Sequence, residues 1–378
     1  MSGPTAKVLL VGDLVLDQPG ASKYFESSRD VLRAADLLIG HVEIPHTNRE
    51  SKTDTAVPAH GGDPANLDAL AQAGFGVVTL AGNHIFDAGE AGITDTLDKL
   101  RSLGIKTTGA GRGLTEARLP ACVDCNGLRF GVLAYNTIGP RESWAGSKKS
   151  GCNYVEIITH YELDYAGPGG PPGRTYSFAE PTSMRSMRED VLRLRESVDV
   201  LIVAFHKGIV HTPVTLAMYE RPLAEAAIDA GADIVVGHHA HILKGVETYK
   251  GRPIFHGLGN FVTVTHQLSI DPSANPSPER LVWAKRRKQL FNFEPDPDYP
   301  LYPFHPEAKN SMIAVCEVGA NGVVQAGFLP CYVKPSGEPE VLANCERGRE
   351  VAAYVERISR EAELTTRFSW NGDRVDFR

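Results

Sequence analysis

The sequence predicts an α/β fold, and three observations predict it. Short apolar runs alternate with stretches of helical periodicity through the first two-thirds of the chain. Glycines such as Gly74, Gly104 and Gly231 stand where those helical stretches should stop. Five of the apolar runs end in residues of the metal-ligand type, as strands do in α/β proteins that bind at strand ends.

In chain order, Lys7–Val11 reads as a buried strand running into Gly12-Asp13, Ser28–Ala35 as a helix and Leu37–Ile44 as a second strand. Pro64–Ala73 is helical, with Leu67, Leu70 and Ala71 on one side. Val77–Ala81 is a third strand followed by Gly82-Asn83-His84, and a helix follows from about Glu90 to Leu103. Cys122–Tyr135 reads as a hairpin turning at Asn126-Gly127. Met184–Val198 is a helix, Asp199–Phe205 a strongly apolar strand, Thr215–Ala230 a helix and Asp233–Gly237 a strand. Thr248–His256 and Ser311–Val333 supply further strands, the latter with a turn at Asn321-Gly322. Arg347–Ala362 is a late helix.

The organisation is read as one domain over residues 1–378 with two long inserted loops, 137–182 and 266–310. The first centres on Gly167-Pro168-Gly169-Gly170-Pro171-Pro172-Gly173; the second is rich in proline, aromatics and charge. Loops of this length in a compact domain are usually functional or disordered, and both are expected to cover a substrate. Their aromatics, Trp144, Tyr154, Trp283, Phe291, Phe293, Tyr299 and Tyr302, would line a groove or form small local cores.

Composition narrows the function classes. The chain is 42% hydrophobic and 22% charged, as folded globular proteins are, with a net charge of −7. That balance argues against a nucleic-acid partner. The one basic run, Lys285-Arg286-Arg287-Lys288, reads as a solvated loop or a docking point for an acidic substrate tail. No apolar run reaches the roughly 18 residues of a membrane span. Met1–Lys7 lacks the pattern of a secretory leader, so a cytoplasmic location without membrane association is expected. The six cysteines then read as free thiols, with Cys122 and Cys125 flanking a turn.

The chemistry is concentrated at the strand ends. Asp13, then His41 and Glu43, then Asn83-His84 with Asp87 a turn later, then His206, then His238-His239-Ala240-His241 each close an apolar run. One sheet edge would gather Asp13, Glu43, Asn83, His206, His239 and His241. Three imidazoles within four positions are costly unless they bind something, and His239 and His241 project to one side if extended. Carboxylate, imidazole and amide oxygen suit zinc, manganese, iron or cobalt. The residues alone leave the metal open, calcium included, and with it the choice of one ion or two.

These motifs resemble those of the CapA family, the capsule and poly-γ-glutamate biosynthesis proteins. The matches are Val11-Gly12-Asp13, Val42-Glu43, Gly82-Asn83-His84-Ile85-Phe86-Asp87-Ala88-Gly89, Gly109-Ala110-Gly111, Val203 to Gly208, Gly231 to His241 and Gly257-Leu258-Gly259-Asn260-Phe261. The resemblance implies a four-layer α/β/β/α sandwich of the calcineurin-like metallophosphatase type. It implies that Asp13, Glu43 and His241 hold one cation and Asn83, His206 and His239 another, with Glu43 between them and His84 just outside as an acid or base. The sequence departs from the phosphatase pattern at Leu14 and Val15, where that pattern places a histidine two residues after the aspartate. His41 stands where the family usually has asparagine, and His256 where it usually has an aromatic.

Two reactions suit such a site. Metal-activated water can attack a phosphoester. A polarised carbonyl can instead make its neighbouring Cα–H acidic, and proton return from the other face epimerises the centre. The damaged first motif, and the resemblance to soluble epimerases that tailor lasso peptides, favour a peptide epimerase acting on a ribosomal precursor peptide. Asp13, His84, Asp87, His206 and His256 are its candidate acids and bases. A phosphoesterase or other metallohydrolase, or a CapA-like factor in poly-γ-glutamate synthesis, is the alternative. The oligomeric state is open.

Overall fold

The Thr5–Leu16 strand is the axis of the larger of the two main sheets among the described residues. Its first half pairs antiparallel with Asn310–Gly319, from Thr5 opposite Gly319 to Leu10 opposite Ala314. Its other edge runs parallel to Leu37–Val42, and its far end runs parallel to Asn260–Val264. The ladder shifts between Leu10 and Asp13, which sets Asp13 beside both His41 and Asn260. This computed structural model describes residues 3–49, 61–162, 174–266 and 278–378.

The larger sheet has ten strands and the smaller six. In the smaller sheet Leu128–Asn136, Val200–Lys207, Ile234–His239 and Arg252–Phe255 run parallel. Alternation along these strands builds the layers. Val132, Ala134, Ile202, Ala204, Ile234 and Val236 face inward and join the core shared with the larger sheet. Leu133, Tyr135, Leu201, Val203, Phe205 and Val235 face outward, against Met187, Val191 and Leu194 of the Pro181–Arg195 helix and Leu223 and Ala227 of the Glu220–Asp229 helix. Leu70 of Asp68–Ala73 and Ile93, Leu97 and Leu100 of Gly89–Ser102 are buried with the larger sheet. The protein is thus an α/β/β/α sandwich.

Most elements fall where periodicity places them, with instructive differences. Thr248–His256 is a hairpin of Val246–Tyr249 and Arg252–Phe255, because Lys250 and Gly251 adopt left-handed conformations. The helix expected from Thr215 starts only at Glu220. The 137–182 segment contains a two-stranded hairpin, Ile157–Glu162 with Arg174–Ala179, and the 266–310 segment contains the helix Pro278–Phe291. The glycine-proline run 167–173 lies outside the described residues. The basic run lies on that helix rather than in a loop, and Arg287 is buried, donating to the Pro303 carbonyl. No helix among the described residues is long and apolar enough to cross a membrane. All six cysteines are free thiols.

Two glycines let the ends of the sheets close on their neighbours. A Cβ on Gly12 would lie 2.1 Å from the Gly259 carbonyl oxygen, and one on Gly237 would lie 2.0 Å from that of His256. Backbone atoms cannot swing aside as a side chain can. Gly237→Ala is therefore expected to cost about 1–3 kcal/mol through overpacking, read as a lower urea midpoint at unchanged slope.

Candidate metal centre

The site lies between the sheets, at the carboxyl ends of strands from both. The sequence reading placed the ligands along the edge of one sheet; the structure takes Asp13, His41, Glu43 and Asn83 from the larger and His206, His238, His239 and His241 from the smaller. Facing sheets allow this because His206 and His238 lie in register on adjacent parallel strands, on the inward face. His41 and Glu43, two residues apart, point the same way.

Three groups of ligand atoms form here, each within 4.8 Å of one another: Asp13, Glu43 and His241; Glu43, His206 and His239; and Asp13, His41 and His206. Asn83 Oδ1 lies 2.7 Å from His206 Nε2, and His239 Nδ1 lies 3.1 Å from the same nitrogen. His241 Nε2 is 3.2 Å from Glu43 Oε1, and His206 Nε2 is 4.0 Å from it. The six ligand candidates, Asp13, Glu43, Asn83, His206, His239 and His241, thus converge. His239 and His241 do so by a route other than extended alternation. Both have left-handed backbones, φ 83° and 53°. Continued alternation would have sent His239 to the helix side with its neighbour in register, Lys207.

Supporting contacts hold the ligands in place. Asp13 accepts from the His239 N–H at 3.1 Å and lies 3.0 Å from His238 Nδ1. His241 Nδ1 meets Asn260 Oδ1 at 2.8 Å. His84 Nδ1 lies 2.6 Å from Asp87 Oδ2, so Asp87 orients His84; the following helix has no side-chain cap. Sequence reasoning passed over His238, His41 and Asn260 as members of the site. The His41 ring lies 4.7 Å from that of His238 and 4.8 Å from that of His206, and its ligand nitrogen gathers with the ligand atoms of Asp13 and His206. Its spacing of two from Glu43 was the available signal.

His256 is a correction. It sits outside the cluster, fully buried, with Nε2 2.7 Å from Glu247 and Nδ1 3.3 Å from Lys207 Nζ. Ile254 of the same strand packs on the helix side, and alternation carries His256 to that side too. The aromatic groove also separates into local groups. Trp144 stacks on Tyr154 at 4.4 Å, whereas Tyr299, Tyr302 and Phe304 form a small core. Phe291 and Phe293 gather around His211, and the Trp283 side chain lies outside the described residues.

The donor set fits a divalent cation. Both Glu43 oxygens are buried, with His241 Nε2 3.2 Å from Oε1 and no hydrogen-bond partner at Oε2, and His41 Nε2 and His206 Nδ1 are buried without partners as well. Orphaned buried acceptors are costly unless something positive meets them. Burial pushes Glu43 up, but His241, His84 and His41 outweigh it and hold its carboxyl down at about 2. Burial, then Glu43, pushes Asp13 up to about 7. His241 would be lowered by burial, but Glu43 and Asp13 lift it to about 9. Burial lowers His41 to about 4 and His238 and His239 to about 3, leaving them neutral and ready to ligate. Burial also opposes protonation of His84, but Asp87 overcomes it and raises the group.

Residues 7–265 match the family model described as bacterial capsule synthesis protein PGA_cap. The chain belongs to that family. Relatives of this PGA_cap chain include the PGA biosynthesis protein CapA of Bacillus subtilis, 28% identical over 250 residues, which are 66% of this chain and 58% of the relative. A probable polyglutamine synthesis accessory protein of Mycobacterium tuberculosis is 30% identical over 236 residues, 61% of this chain and 56% of the relative. The PGA_cap chain thus spans less than three-fifths of either. A calcineurin-like phosphoesterase of Bacillus subtilis superposes with a TM-score of 0.35 and 11% identity, over 96% of this chain and 99% of that one, too loosely to transfer any residue.

Metal binding should be proton-linked. A cation at Asp13, Glu43 and His241 must displace the His241 proton below about pH 9 and the Asp13 proton below about pH 7. Apparent affinity for Mn²⁺ is therefore expected to rise about tenfold per pH unit between pH 7 and 9, more steeply below 7, and to level off above 9. Calorimetric titration across that range checks it; a flat profile would contradict the assignment.

Proposed function

We propose that this chain is a metal-dependent hydrolase acting on a phosphoester or acyl bond, in the chemistry of capsule-type polymers. The observation that carries the reading is the charged, buried Glu43 carboxylate, which has His241 Nε2 at 3.2 Å from Oε1, no hydrogen-bond partner at Oε2, and a place between two sets of ligand atoms. The names of the relatives support the polymer context, through PGA biosynthesis and polyglutamine synthesis. Asp13, Glu43 and His241 would hold one cation, and Glu43, Asn83, His206 and His239 the other. Divalent cations there would supply a nucleophilic water at neutral pH and polarise a substrate oxygen.

The chain's own groups do the rest. His238 and the His239 N–H fix the Asp13 carboxyl, so its oxygens keep one orientation. Asn260 orients His241 from behind through Nδ1, leaving Nε2 to face Glu43. His84 is protonated more readily than an ordinary histidine because Asp87 lies against Nδ1, so its other edge can deliver a proton to a leaving oxygen or nitrogen. Burial of Asp13, Glu43 and His238 between the sheets strengthens their interactions.

A second reading, epimerisation at a peptide Cα, is favoured by one observation. Two carboxyl–imidazole pairs, Asp13 with His238 and His84 with Asp87, stand on separate elements around the same Glu43. Proton removal on one face and return on the other needs two such groups.

The test strips the protein of metal with a chelator, reloads it with Mn²⁺ or Zn²⁺, and assays an activated phosphodiester and a γ-linked glutamate oligomer. Metal-dependent turnover is expected, and Glu43→Gln should lower it by about 100-fold or more while far-UV circular dichroism stays the same. Turnover that survives exhaustive chelation would refute the reading. Deuterium gain at Cα with inversion in heavy water, without hydrolysis, would select the epimerase instead.

A further inference from the structure

Residues 208–219 connect the His206 strand to the Glu220–Asp229 helix, and buried charges hold this irregular segment in one arrangement. Lys207, Glu220 and Lys244 are all fully buried. Glu220 takes the Lys207 ammonium at 2.9 Å and the Ala217 N–H at 2.7 Å. Lys244 Nζ donates to the carbonyl oxygens of Thr212 and Thr215, each at 2.7 Å. The Gly208 N–H donates to the Tyr219 hydroxyl at 2.8 Å. Buried ion pairs contribute little net stability, and their best-attested use is to specify one structure.

What this scaffold presents is His211. Its N–H donates at 2.8 Å to the carbonyl of Ala240, the residue between His239 and His241. Its backbone is left-handed, φ 54°, a conformation uncommon outside glycine although histidine adopts it more readily than most residues. Its ring lies 6.0 Å from that of His241 and meets Phe291 and Phe293 edge-on at 5.1 and 4.9 Å. Its Nδ1 is sealed from solvent and has no hydrogen-bond partner. A strained backbone and an unmatched buried polar atom both oppose folding. Glycine would relieve the first and phenylalanine the second, yet the position beside the metal ligands carries histidine.

We infer that His211 is a substrate-binding residue of the metal centre, its imidazole hydrogen-bonding an anionic oxygen, phosphoryl or carboxylate, of a substrate held there. The inference rests on the reading of the site as one that processes oxyanions. Lys207, Glu220 and Lys244 are positioning residues that hold His211 against the His241 edge.

The experiment measures orthophosphate binding to the Mn²⁺-loaded full chain by calorimetry, for the parent, His211→Phe and His211→Asn. Phenylalanine keeps the aromatic packing, and asparagine tolerates the left-handed backbone. Both variants are expected to bind phosphate about tenfold or more weakly, as when a hydrogen bond to a charged group is lost, with Mn²⁺ affinity within about threefold of the parent. Parent-like phosphate affinity in the phenylalanine variant would overturn the inference and leave His211 a packing residue. A parallel fall in Mn²⁺ affinity would overturn it too, by making His211 part of the metal-holding structure. Failure of the parent itself to bind Mn²⁺ or phosphate would defeat the reading of the site, and the inference with it.

Discussion

Glu43 keeps its negative charge in a place that water does not reach. Burial alone would neutralise it, and the His241 imidazole stands 3.2 Å from Oε1 while Oε2 has no hydrogen-bond partner. What holds the proton off is a ring of imidazoles, above all His241, whose protonation is raised in return. A carboxylate and an imidazolium so enclosed need each other or a cation. Strand register, the left-handed turns at His239 and His241 and the approach of the Asn260 strand all serve to bring these groups together.

That meeting requires two sheets whose strand ends face one another closely. The bulge after Leu10 and the close backbone approaches at Gly12 and Gly237 make room for it. Asp13 then lies beside His41 on one strand and Asn260 on another, while His238 reaches it from the opposite sheet. Residues at most a few positions apart in sequence, His238, His239 and His241, approach the centre from different directions because the backbone turns between them.

On the far side of the smaller sheet lies a second polar network, Glu220, Lys207, His256, Glu247 and Arg221, linked by contacts of 2.6 to 3.3 Å. It joins the metal centre through the chain, since Lys207 follows His206 directly. One strand therefore presents a ligand on its inner face and a structural cation on its outer face.

By itself the sequence determined the α/β alternation, most helices and strands, and the strand-end residues Asp13, Asn83 and His206, because apolar periodicity is local and a strand end is where polarity interrupts it. Glu43 was legible in the same way, whereas His41, two residues before it, was not assigned to the site from the sequence. Only the tertiary structure decided that the ligands come from two sheets, that His239 turns inward and that His256 belongs to the other face. Those outcomes depend on positive backbone angles, on the register between non-adjacent strands and on which layer each strand face meets. His211 shows the same limit. Its segment has no periodicity to read, and its place beside His241 comes from buried charges contributed by residues as distant as Lys244.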